Sequence, residues 1–584
     1  MNLRHLFLTI ITTIMAISAA KTATPKASDH IKVVYTTDVH GNFFPTDFIR
    51  RAPAQGSLAR AHTAIERMRR ETGADNLLLL DNGDILQGQP TAYYFNFIDT
   101  TSRHIAAEIY DFMGYDAATI GNHDVETGHS VYDRWRRDTK IPILGANVID
   151  TATSRPYLPP YAIIEKGGRR IAVIGLLTPA IPAWLPENLW SGLRFEPMVP
   201  AARKWVEYVR EHEHPDLVIG LFHSGHDATK MTGNYLENAS ELVAREVPGF
   251  DLILMGHDHR EYLDSVTGAD GRRVVLLNPA NNANRLGVAD ITFRESGAPK
   301  VTAEILDIRS EEPSAEYMAR FEPRIREVEK FVGRRIAVAT DSLTTADAFF
   351  GPSAFMTLIH DLQLEISGAD ISLAAPLSFD GVIAEGDLCV ADMFTLYKYE
   401  NMLYTIAMTG REIKDYLEES YSLWTDRISD RQHHLILFES REPSTADNRL
   451  RHPAYNFDSA AGIDYTVDIT RPKGEKISII SMSDGTPFDP DMTYTVAVNS
   501  YRANGGGDLL TKGAGIASDE LKNRVIRATD KDLRYYMMQA IERRGTVTPR
   551  VDRNWRFIPE DKATRAAATD RALLFSPHSA RSQK

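Results

Sequence analysis

The first half of the chain contains five short apolar runs, each followed closely by polar residues that can bind metals or transfer protons. The runs span residues 31–35, 77–80, 117–120, 217–222 and 252–255, and they lead to Asp38 and His40, to Asp84, to Asn122 and His123, to His223, and to His257 and His259, respectively. Runs this short favour buried strands over helices. Because parallel strands end at one edge of a sheet, we expect these polar side chains to meet there.

Helical patterns alternate with the apolar runs, at residues 58–70, 103–113, 200–211 and 239–246. This alternation predicts an α/β domain over residues 31–310, with helices packed outside central sheets. Residues 311–335 are charged and carry apolar residues at helical spacing, and we interpret them as a linker helix. A second α/β pattern follows over residues 336–558. Residues 559–584 are rich in Ala, Ser, Arg and Lys, and we expect them to be disordered.

Residues 1–20 have the features of a secretory signal peptide. Arg4 precedes an apolar stretch, and Ser18-Ala19-Ala20 supply the small residues that cleavage requires. The stretch is shorter than the roughly 18 residues that span a bilayer, so an uncleaved membrane anchor is the weaker alternative. We therefore expect an exported protein without stable membrane insertion, which is periplasmic if the source is a Gram-negative bacterium. The single cysteine, Cys389, cannot form an internal disulfide.

The charge balance argues against a nucleic-acid polymer as partner. The chain has 66 basic and 79 acidic residues, and its formal net charge of −13 repels polyanions. This composition fits an exported enzyme rather than a nucleic-acid binder. The sequence leaves the oligomeric state open.

The polar residues at the predicted strand ends offer carboxylate, amide and imidazole groups and no thiolate. The candidate ligands are Asp38, His40, Asp84, Asn122, His223, His257 and His259. Such a set suits Mn²⁺, Zn²⁺, Fe²⁺ or Co²⁺ and discriminates poorly among them. It serves two divalent metal ions if one carboxylate is shared. We favour Asp84 over Asp81 as that bridge, because Gly83 lets the chain turn so that one of the two points inward.

These motifs resemble those of the calcineurin-like metallophosphoesterases. They are Asp38-x-His40, Gly83-Asp84, Gly121-Asn122-His123-Asp124, His223 and Gly256-His257-x-His259. The chain is similar, within that superfamily, to the two-domain 5′-nucleotidase family, and residues 81–88, 397–401, 455–458 and 501–507 are typical of its branch that acts on cyclic and 3′-nucleotides. The likeness covers residues 31–558. It implies a four-layer αββα metallophosphoesterase domain, a linker helix and a C-terminal α/β substrate domain.

The resemblance also implies how the ligands are divided. One ion would be held by Asp38, His40, Asp84 and His259, and the other by Asp84, Asn122, His223 and His257. His123 would donate a proton to the leaving oxygen. A catalytic histidine needs a carboxylate to orient it, and Glu126 stands where relatives often carry Asp. Asp124 is an alternative partner, and a third possibility is that His123 has no carboxylate partner.

For the substrate, the resemblance implies two aromatic side chains of the second domain that sandwich the base. The matching residues are Tyr501 and either Tyr455 or Phe457, and Asn504 is a candidate polar contact. Relatives that bind terminal phosphates carry a Gly-Gly-x-Arg element where this chain has residues 374–379, which lack arginine. This departure favours cyclic and 3′-monophosphates over nucleoside diphosphates.

We therefore hypothesise an exported two-metal phosphoesterase. It would open 2′,3′-cyclic nucleotides to 3′-nucleotides and then remove the 3′-phosphate. The alternative is a 5′-nucleotidase or a broad nucleotide phosphatase of the same fold. A second alternative is a non-catalytic nucleotide-binding surface protein. The intact set of candidate metal ligands, together with His123, argues against it.

Overall fold

The computed structural model of the protein describes residues 27–295, 297–429, 433–439 and 450–575. The predicted signal peptide, residues 1–20, lies outside this part of the chain. Within it, no helix combines the length and the apolar character that crossing a membrane requires. The described residues form two α/β domains that are connected by a long helix.

Two six-stranded sheets lie at the centre of the first domain. The first has the strand order Lys300–Asp307, Arg285–Thr292, His30–Thr36, Leu77–Asp81, Ala117–Thr119, Ile143–Leu144, and the second has the order Glu261–Thr267, Arg273–Pro279, Leu252–Met255, Leu217–His223, Arg169–Leu177, Tyr161–Lys166. The four strands from His30–Thr36 to Ile143–Leu144 run parallel in the first sheet. So do the four from Arg273–Pro279 to Arg169–Leu177 in the second. Parallel pairing places their carboxyl ends at one edge of each sheet.

Side chains alternate between the two faces of each sheet. In Leu77–Asp81, Leu78 and Leu80 enter the core between the sheets, whereas Leu77 and Leu79 pack against outer helices. Both faces are apolar, which explains the continuous apolar runs in the sequence. The outer helices are Leu58–Thr72, Ile105–Met113 and His129–Asp138 on the first sheet and Met198–His212 and Ser240–Glu246 on the second. This layering is the predicted αββα architecture, and the fold prediction is confirmed.

Shorter elements connect the layers of the first domain. They are the strands Thr46–Asp47, Ala52–Pro53, Val148–Asp150, Arg155–Pro156, Leu193–Phe195, Met231–Thr232 and Tyr235–Leu236 and the helices Pro90–Tyr93, Asn122–Glu126 and Ile181–Trp184. The helix Asn122–Glu126 and the hairpin Met231–Leu236 both line the site described below.

The segment interpreted as a linker contains the helix Ala315–Val332, which runs through Pro323. Its buried residues are Tyr317, Phe321, Val328 and Val332, and all four belong to the core of the first domain. The apolar face expected from the sequence therefore packs on the first domain.

The second domain is built on a five-stranded sheet with smaller sheets beside it. The strand order of the central sheet is Ser459–Ala461, Ile371–Ala374, Thr493–Asn499, Met402–Thr409, Val525–Asp532. Two three-stranded sheets have the orders Gly386–Cys389, Arg335–Ala339, Thr546–Val547 and Ile477–Met482, Ile463–Asp468, Trp555–Ile558. A two-stranded sheet pairs Leu343–Thr344 with Val382–Ile383. The helices are Ala354–Ser367, Val390–Leu396, Gly410–Trp424, Ser500–Ala503, Leu521–Arg524 and Leu533–Arg544. The second α/β pattern of the sequence is therefore a second folded unit.

The structure contradicts the expected disorder for the first part of the tail, because Glu560–Phe575 form a helix. Alanine has the highest intrinsic helix propensity, and this segment is rich in it. Ala563, Ala566 and Leu574 are buried in the core of the second domain. Two of these three buried residues are alanines, so the sequence shows little apolar pattern. Residues 576–584 lie outside the described part.

Candidate metal centre and substrate cavity

The loops at the carboxyl ends of the parallel strands bring the predicted metal ligands to one place. The metal-binding atoms of Asp38, His40 and His259 lie within 4.8 Å of one another, and so do those of Asp38, Asp84 and His223. Asp38 is common to both groups: its Oδ1 is 3.2 Å from Nε2 of His259 and 4.0 Å from Nε2 of His223. The role of Asp84 as the bridging carboxylate stays a prediction.

Asn122 and His257 complete the second group. Oδ1 of Asn122 is 2.8 Å from Nδ1 of His257 and 3.1 Å from Nε2 of His223. All seven predicted ligands therefore surround one small volume.

The choice between Asp81 and Asp84 is decided by the turn at Gly83, which has a φ of +84°. Asp84 turns toward the histidines, with Oδ2 3.1 Å from Nε2 of His223. Asp81 turns away and accepts hydrogen bonds from the hydroxyls of Thr36 and Tyr110. Burial raises the pKa of Asp81 to about 7, although these hydrogen bonds oppose the shift. Asp81 is therefore a structural carboxyl group.

Five of the seven predicted ligands have a left-handed backbone conformation. Their φ angles are +49° for Asp38 and His40, +55° for Asp84, +74° for His257 and +56° for His259. Positive φ is uncommon outside glycine and costs about 1–3 kcal/mol for each residue, so it persists where the surrounding structure enforces it. Such strained residues cluster at functional sites, and here they turn side chains inward from three separate loops.

Backbone carbonyl groups determine the tautomers of two histidines. Nδ1 of His40 lies 3.2 Å from the carbonyl oxygen of Gln87, and Nδ1 of His223 lies 2.6 Å from that of Asn82. Since a carbonyl oxygen only accepts, each Nδ1 carries a hydrogen and each neutral ring directs the lone pair of Nε2 into the site. Metal-binding histidines are commonly oriented by such contacts.

The remaining contacts leave several acceptors facing one another. Nε2 of His257 lies 3.0 Å from Oε1 of Glu237, which directs the lone pair of Nδ1 toward the amide oxygen of Asn122. Oδ2 of Asp84 is buried and has no hydrogen-bond partner among the described residues. Converging lone pairs and an unsatisfied carboxylate oxygen require a positive charge between them.

The electrostatics of the site favour a cation. Burial disfavours a charged His223, but the negative charges of Asp84 and Asp38 outweigh it and raise the pKa of His223 to about 10. A field that stabilises an added proton also stabilises a metal ion, which would take the place of that proton. The nitrogen and oxygen donors suit first-row divalent metals. The residues present therefore fit a divalent metal centre.

His123 lies beside this centre and pairs with Glu126. The backbone N–H of His123 donates to Oδ1 of Asp84 at 2.8 Å, and Nδ1 of its ring lies 2.5 Å from Oε2 of Glu126. Burial lowers the pKa of His123, but Asp84 and Glu126 together raise it to about 9. His123 is therefore held between a predicted metal ligand and a carboxylate, and its role as a proton donor stays a prediction.

Asp124, the alternative partner of His123, has a different task. Its carboxylate accepts hydrogen bonds from the backbone N–H groups of Asp84, Ile85, Leu86 and Gly121 at 2.8–2.9 Å. It thereby ties the loop that carries Asp84 to the loop that carries Asn122. Gly121 is required in this contact, because a Cβ atom there would lie 2.1 Å from Oδ1 of Asp84.

A cavity of about 570 Å³ lies between the two domains, next to the predicted metal centre. Asn122, His123, Glu126 and His257 line it from the first domain, and Tyr399, Tyr455, Tyr501 and Asn504 line it from the second. Pockets of about 300–1,000 Å³ bind small molecules. The rings of Tyr455 and Tyr501 are perpendicular, with centroids 6.2 Å apart. The parallel sandwich implied by the resemblance is therefore not the arrangement seen here.

The structure contradicts the choice of Phe457 as a substrate-binding residue. Phe457 is fully buried and its ring stacks on Trp424 at a centroid distance of 5.5 Å. Tyr455 lies within the short turn Ala454–Asn456 and remains 36% exposed at the cavity, whereas Phe457, which directly follows the turn, enters the core. Tyr455 is therefore the second aromatic candidate.

Glu237 is a site residue that sequence reasoning did not find. Besides His257, its carboxylate binds Nζ of Lys230 at 2.7 Å and the hydroxyl of Thr232. It follows a short hairpin rather than an apolar run, so no periodic signal marks it. It links the predicted metal ligand to a loop that lines the cavity.

Comparison with known proteins agrees with this geometry. Residues 31–261 match the family model of the calcineurin-like phosphoesterases, and residues 335–512 match that of the 5′-nucleotidase C-terminal domain. The two matches fall on the two folded units described above, and the first includes all the predicted metal ligands.

Relatives match over nearly the full length. The 2′,3′-cyclic-nucleotide 2′-phosphodiesterase/3′-nucleotidase of Haemophilus influenzae is 27% identical over 96% of this chain and 92% of its own. The protein of the same name from Yersinia enterocolitica is 26% identical over 95% of this chain and 92% of its own.

The solved structure of a putative 5′-nucleotidase from Staphylococcus aureus has the same fold. It aligns with a TM-score of 0.75 and 21% identity over 90% of this chain and 99% of its own. The calcineurin-like family binds divalent metal ions, in agreement with the donor set described above. The chain therefore belongs to the two-domain 5′-nucleotidase family of calcineurin-like metallophosphoesterases, and it is a phosphoric ester hydrolase.

Proposed function

We propose that this protein is an exported phosphoesterase that hydrolyses 2′,3′-cyclic nucleotides to 3′-nucleotides and then 3′-nucleotides to nucleoside and phosphate. One observation carries the proposal: two of the predicted metal ligands, Asn122 and His257, line the same interdomain cavity as the aromatic residues Tyr455 and Tyr501. A nucleotide has an anionic phosphate and a flat base, and the two sides of the cavity suit these two parts. The names of the relatives support nucleotide esters as the substrate class.

The predicted ligands would hold two divalent ions. Asp38, His40, Asp84 and His259 would bind one, and Asp84, Asn122, His223 and His257 the other. When bound, two such ions supply water activation near neutral pH and neutralise charge on the phosphoryl oxygens. Mn²⁺, Zn²⁺, Fe²⁺ and Co²⁺ all suit this donor set.

His123 would be the general acid. Glu126 accepts a hydrogen bond from Nδ1 and its negative charge raises the pKa of the ring, so that Nε2–H is left free for the substrate. We infer that this proton goes to O2′ when the cyclic diester opens and to O3′ when the monoester is cleaved. In each step the hydroxyl of water bonds to phosphorus as the bond from phosphorus to the ribose oxygen breaks. The ribose oxygen takes the proton of His123, and the proton given up by water restores His123.

The residue at the family's arginine position supports monophosphates and cyclic esters over diphosphates. Leu377 lines the cavity in the segment where relatives carry Gly-Gly-x-Arg. An apolar side chain cannot hydrogen-bond a terminal phosphate. A diphosphate therefore lacks one charged partner here.

The test is an assay of metal-stripped protein that is restored with each of the four metals. We expect turnover of 2′,3′-cyclic AMP and 3′-AMP, with much slower turnover of 5′-AMP and UDP-glucose. A preference for 5′-AMP would overturn the specificity, and no turnover with any metal would overturn the activity. Export rests on residues 1–20, and N-terminal sequencing of the secreted or periplasmic protein should find that segment removed.

A further inference from the structure

Arg502 lies behind the two tyrosines of the cavity, and it is almost fully buried, with 2% of its side chain exposed. Its Nε and Nη2 atoms donate to the carboxylate of Asp458 at 3.2 and 2.8 Å. Nη1 donates to Oδ1 of Asn456 at 3.0 Å and to the carbonyl oxygen of Gly506 at 2.9 Å. Nη2 also donates to the carbonyl oxygen of Tyr455.

These contacts use every hydrogen-bond donor of the side chain. A guanidinium group has five N–H bonds, and all five are directed at protein acceptors. Arg502 therefore has no donor left for a ligand, although it directly follows Tyr501. Its effect on a bound substrate must pass through the residues that it holds.

The acceptors belong to the two segments that carry the aromatic rings. Tyr455 and Asp458 lie in one segment, and Tyr501 and Gly506 lie in the other. The backbone of Gly506 packs directly against the ring of Tyr501, because a Cβ atom at Gly506 would lie 2.4 Å from that ring. The guanidinium carbon of Arg502 is itself 5.4 Å from the centroid of the Tyr501 ring. Arg502 thus contacts the supports of both rings.

Asp458 is held from a third side. The hydroxyl of Tyr416, a fully buried residue, donates to Oδ2 of Asp458 at 2.5 Å. A buried ion pair costs desolvation free energy and often adds little stability compared with apolar residues of similar size. A planar guanidinium group whose donors all form hydrogen bonds, in contrast, fixes the relative geometry of the acceptor groups around it.

We propose that Arg502 is a positioning residue of the substrate site: through Asp458 and two backbone carbonyls, it holds in place the backbone segments that carry Tyr455 and Tyr501, the two rings that would contact a nucleobase. The inference rests on the proposed function, because it concerns the part of the substrate site that would contact the base of a nucleotide. With both backbones held, binding requires rotation of a tyrosine side chain and no movement of either loop. Arg502 therefore lowers the free-energy cost of ordering the base site.

The test compares Arg502→Lys with the wild type on two substrates. Lysine keeps the positive charge beside Asp458, but its three donors lie on one nitrogen. It therefore cannot bond Asp458 and the backbone carbonyls at the same time as the planar guanidinium group does. We expect KM for 3′-AMP to rise about 10-fold with kcat nearly unchanged. This pattern arises when a mutation removes a binding interaction that is equally strong in the ground state and in the transition state. Turnover of glycerol 2-phosphate, which lacks a base, should stay at the wild-type rate. Arg471→Lys, at an exposed arginine of the same domain, is the matched control.

A binding measurement makes the test independent of the metal centre. Calorimetry with adenosine and EDTA-treated protein should show a dissociation constant about 10-fold higher for Arg502→Lys than for the wild type. If Arg502→Lys does not fold, Tyr416→Phe removes one bond to Asp458 from a buried site and should raise KM about 2–3-fold with the same selectivity for nucleotides.

Three results would overturn the inference. They are an unchanged KM and adenosine affinity in a folded variant, equal losses on 3′-AMP and glycerol 2-phosphate, and no adenosine binding by the wild type. The proposed function fails separately, if the wild type binds adenosine but hydrolyses no nucleotide with any of the four metals.

Discussion

His123 and Glu126 form a pair within the short helix Asn122–Glu126, with Nδ1 of His123 2.5 Å from Oε2 of Glu126. Residues three apart lie on the same face of a helix, so the longer side chain of Glu126 reaches the ring. The Glu126 side chain is 8% exposed and that of His123 is 27% exposed. Both residues line the cavity, and the Glu126 end of the pair is the more deeply buried.

The first prediction concerns this pair. His123→Ala should lower kcat by about 10²–10⁴-fold with unchanged metal content, because the general acid is lost while all predicted ligands remain. Glu126→Gln should cause a smaller fall, since the ring keeps its place but loses the charge that stabilises its protonated form. Steady-state kinetics and metal analysis by mass spectrometry measure both effects.

His129→Ala is the matched control, because His129 pairs with Asp133 at 3.0 Å on the next helix and lies outside the cavity lining. Its kcat should match the wild type. A His123→Ala variant that keeps wild-type kcat would remove His123 from the mechanism.

The second prediction separates the two neighbouring carboxylates. Asp84→Asn should lower the bound metal per chain and abolish most activity, because the amide carries no charge and is a poorer ligand. Asp81→Asn should keep its metal, since Asp81 faces Thr36 and Tyr110, but it should lose about 1–3 kcal/mol of stability. Metal analysis and thermal unfolding distinguish the two outcomes. The assignment fails if Asp81→Asn loses the metal and Asp84→Asn retains it.

The third prediction is a pH dependence of stability from His360, a buried residue of the second domain. Its ring nitrogens lie 2.9 and 3.1 Å from the hydroxyls of Ser372 and Ser459. Burial lowers the pKa of His360 to about 4, while the charge of Asp458 opposes the shift. The unfolded chain, with a histidine pKa near 6.5, therefore takes up a proton between pH 6.5 and 4 that the folded chain excludes.

The contribution of His360 is therefore fully present above pH 6.5 and is lost as the pH falls toward 4, by about 3 kcal/mol. His360→Gln should show a flatter decline in the free energy of unfolding over this range. Urea unfolding of both proteins between pH 4.5 and 7.5 measures the difference. Parallel curves would show that His360 does not contribute to the pH dependence.

The fourth prediction tests the C-terminal helix. Asp570 is fully buried and accepts hydrogen bonds from the backbone N–H groups of Leu435 and Ile436 at 2.7 and 2.8 Å. Asp570→Ala leaves both groups without an acceptor and should cost about 2–4 kcal/mol, which lowers the unfolding temperature.

Asp561→Ala on the same helix is the control, because Asp561 forms an exposed ion pair with Arg565. Such pairs contribute about 0–1 kcal/mol. If Asp570→Ala and Asp561→Ala unfold at the same temperature, the helix does not stabilise the domain through this contact.

Local sequence determined the α/β pattern of the first domain and the group of candidate metal ligands, whereas the four-layer αββα arrangement was implied by the resemblance to the calcineurin-like family. Leu77–Asp81 is apolar on both faces because it is covered on both, and this burial is visible as a continuous run. The polar residues follow such runs, so parallel pairing places those of each sheet at one edge, and the packing of the two sheets brings the two edges together. The same reasoning placed Asp84, with Gly83, on the inner side of its loop.

Tertiary structure alone decided the partners of these residues. Glu126 rather than Asp124 holds His123, Tyr455 rather than Phe457 faces the cavity, and Glu237 orients His257. Each choice depends on a side-chain rotamer or on a contact between segments far apart in the chain, and neither leaves a periodic signal in the sequence. The helix Glu560–Phe575 also depends on tertiary contacts. It is ordered by the packing of its alanines and by the hydrogen bond that Asp570 accepts from a backbone N–H group far away in the chain.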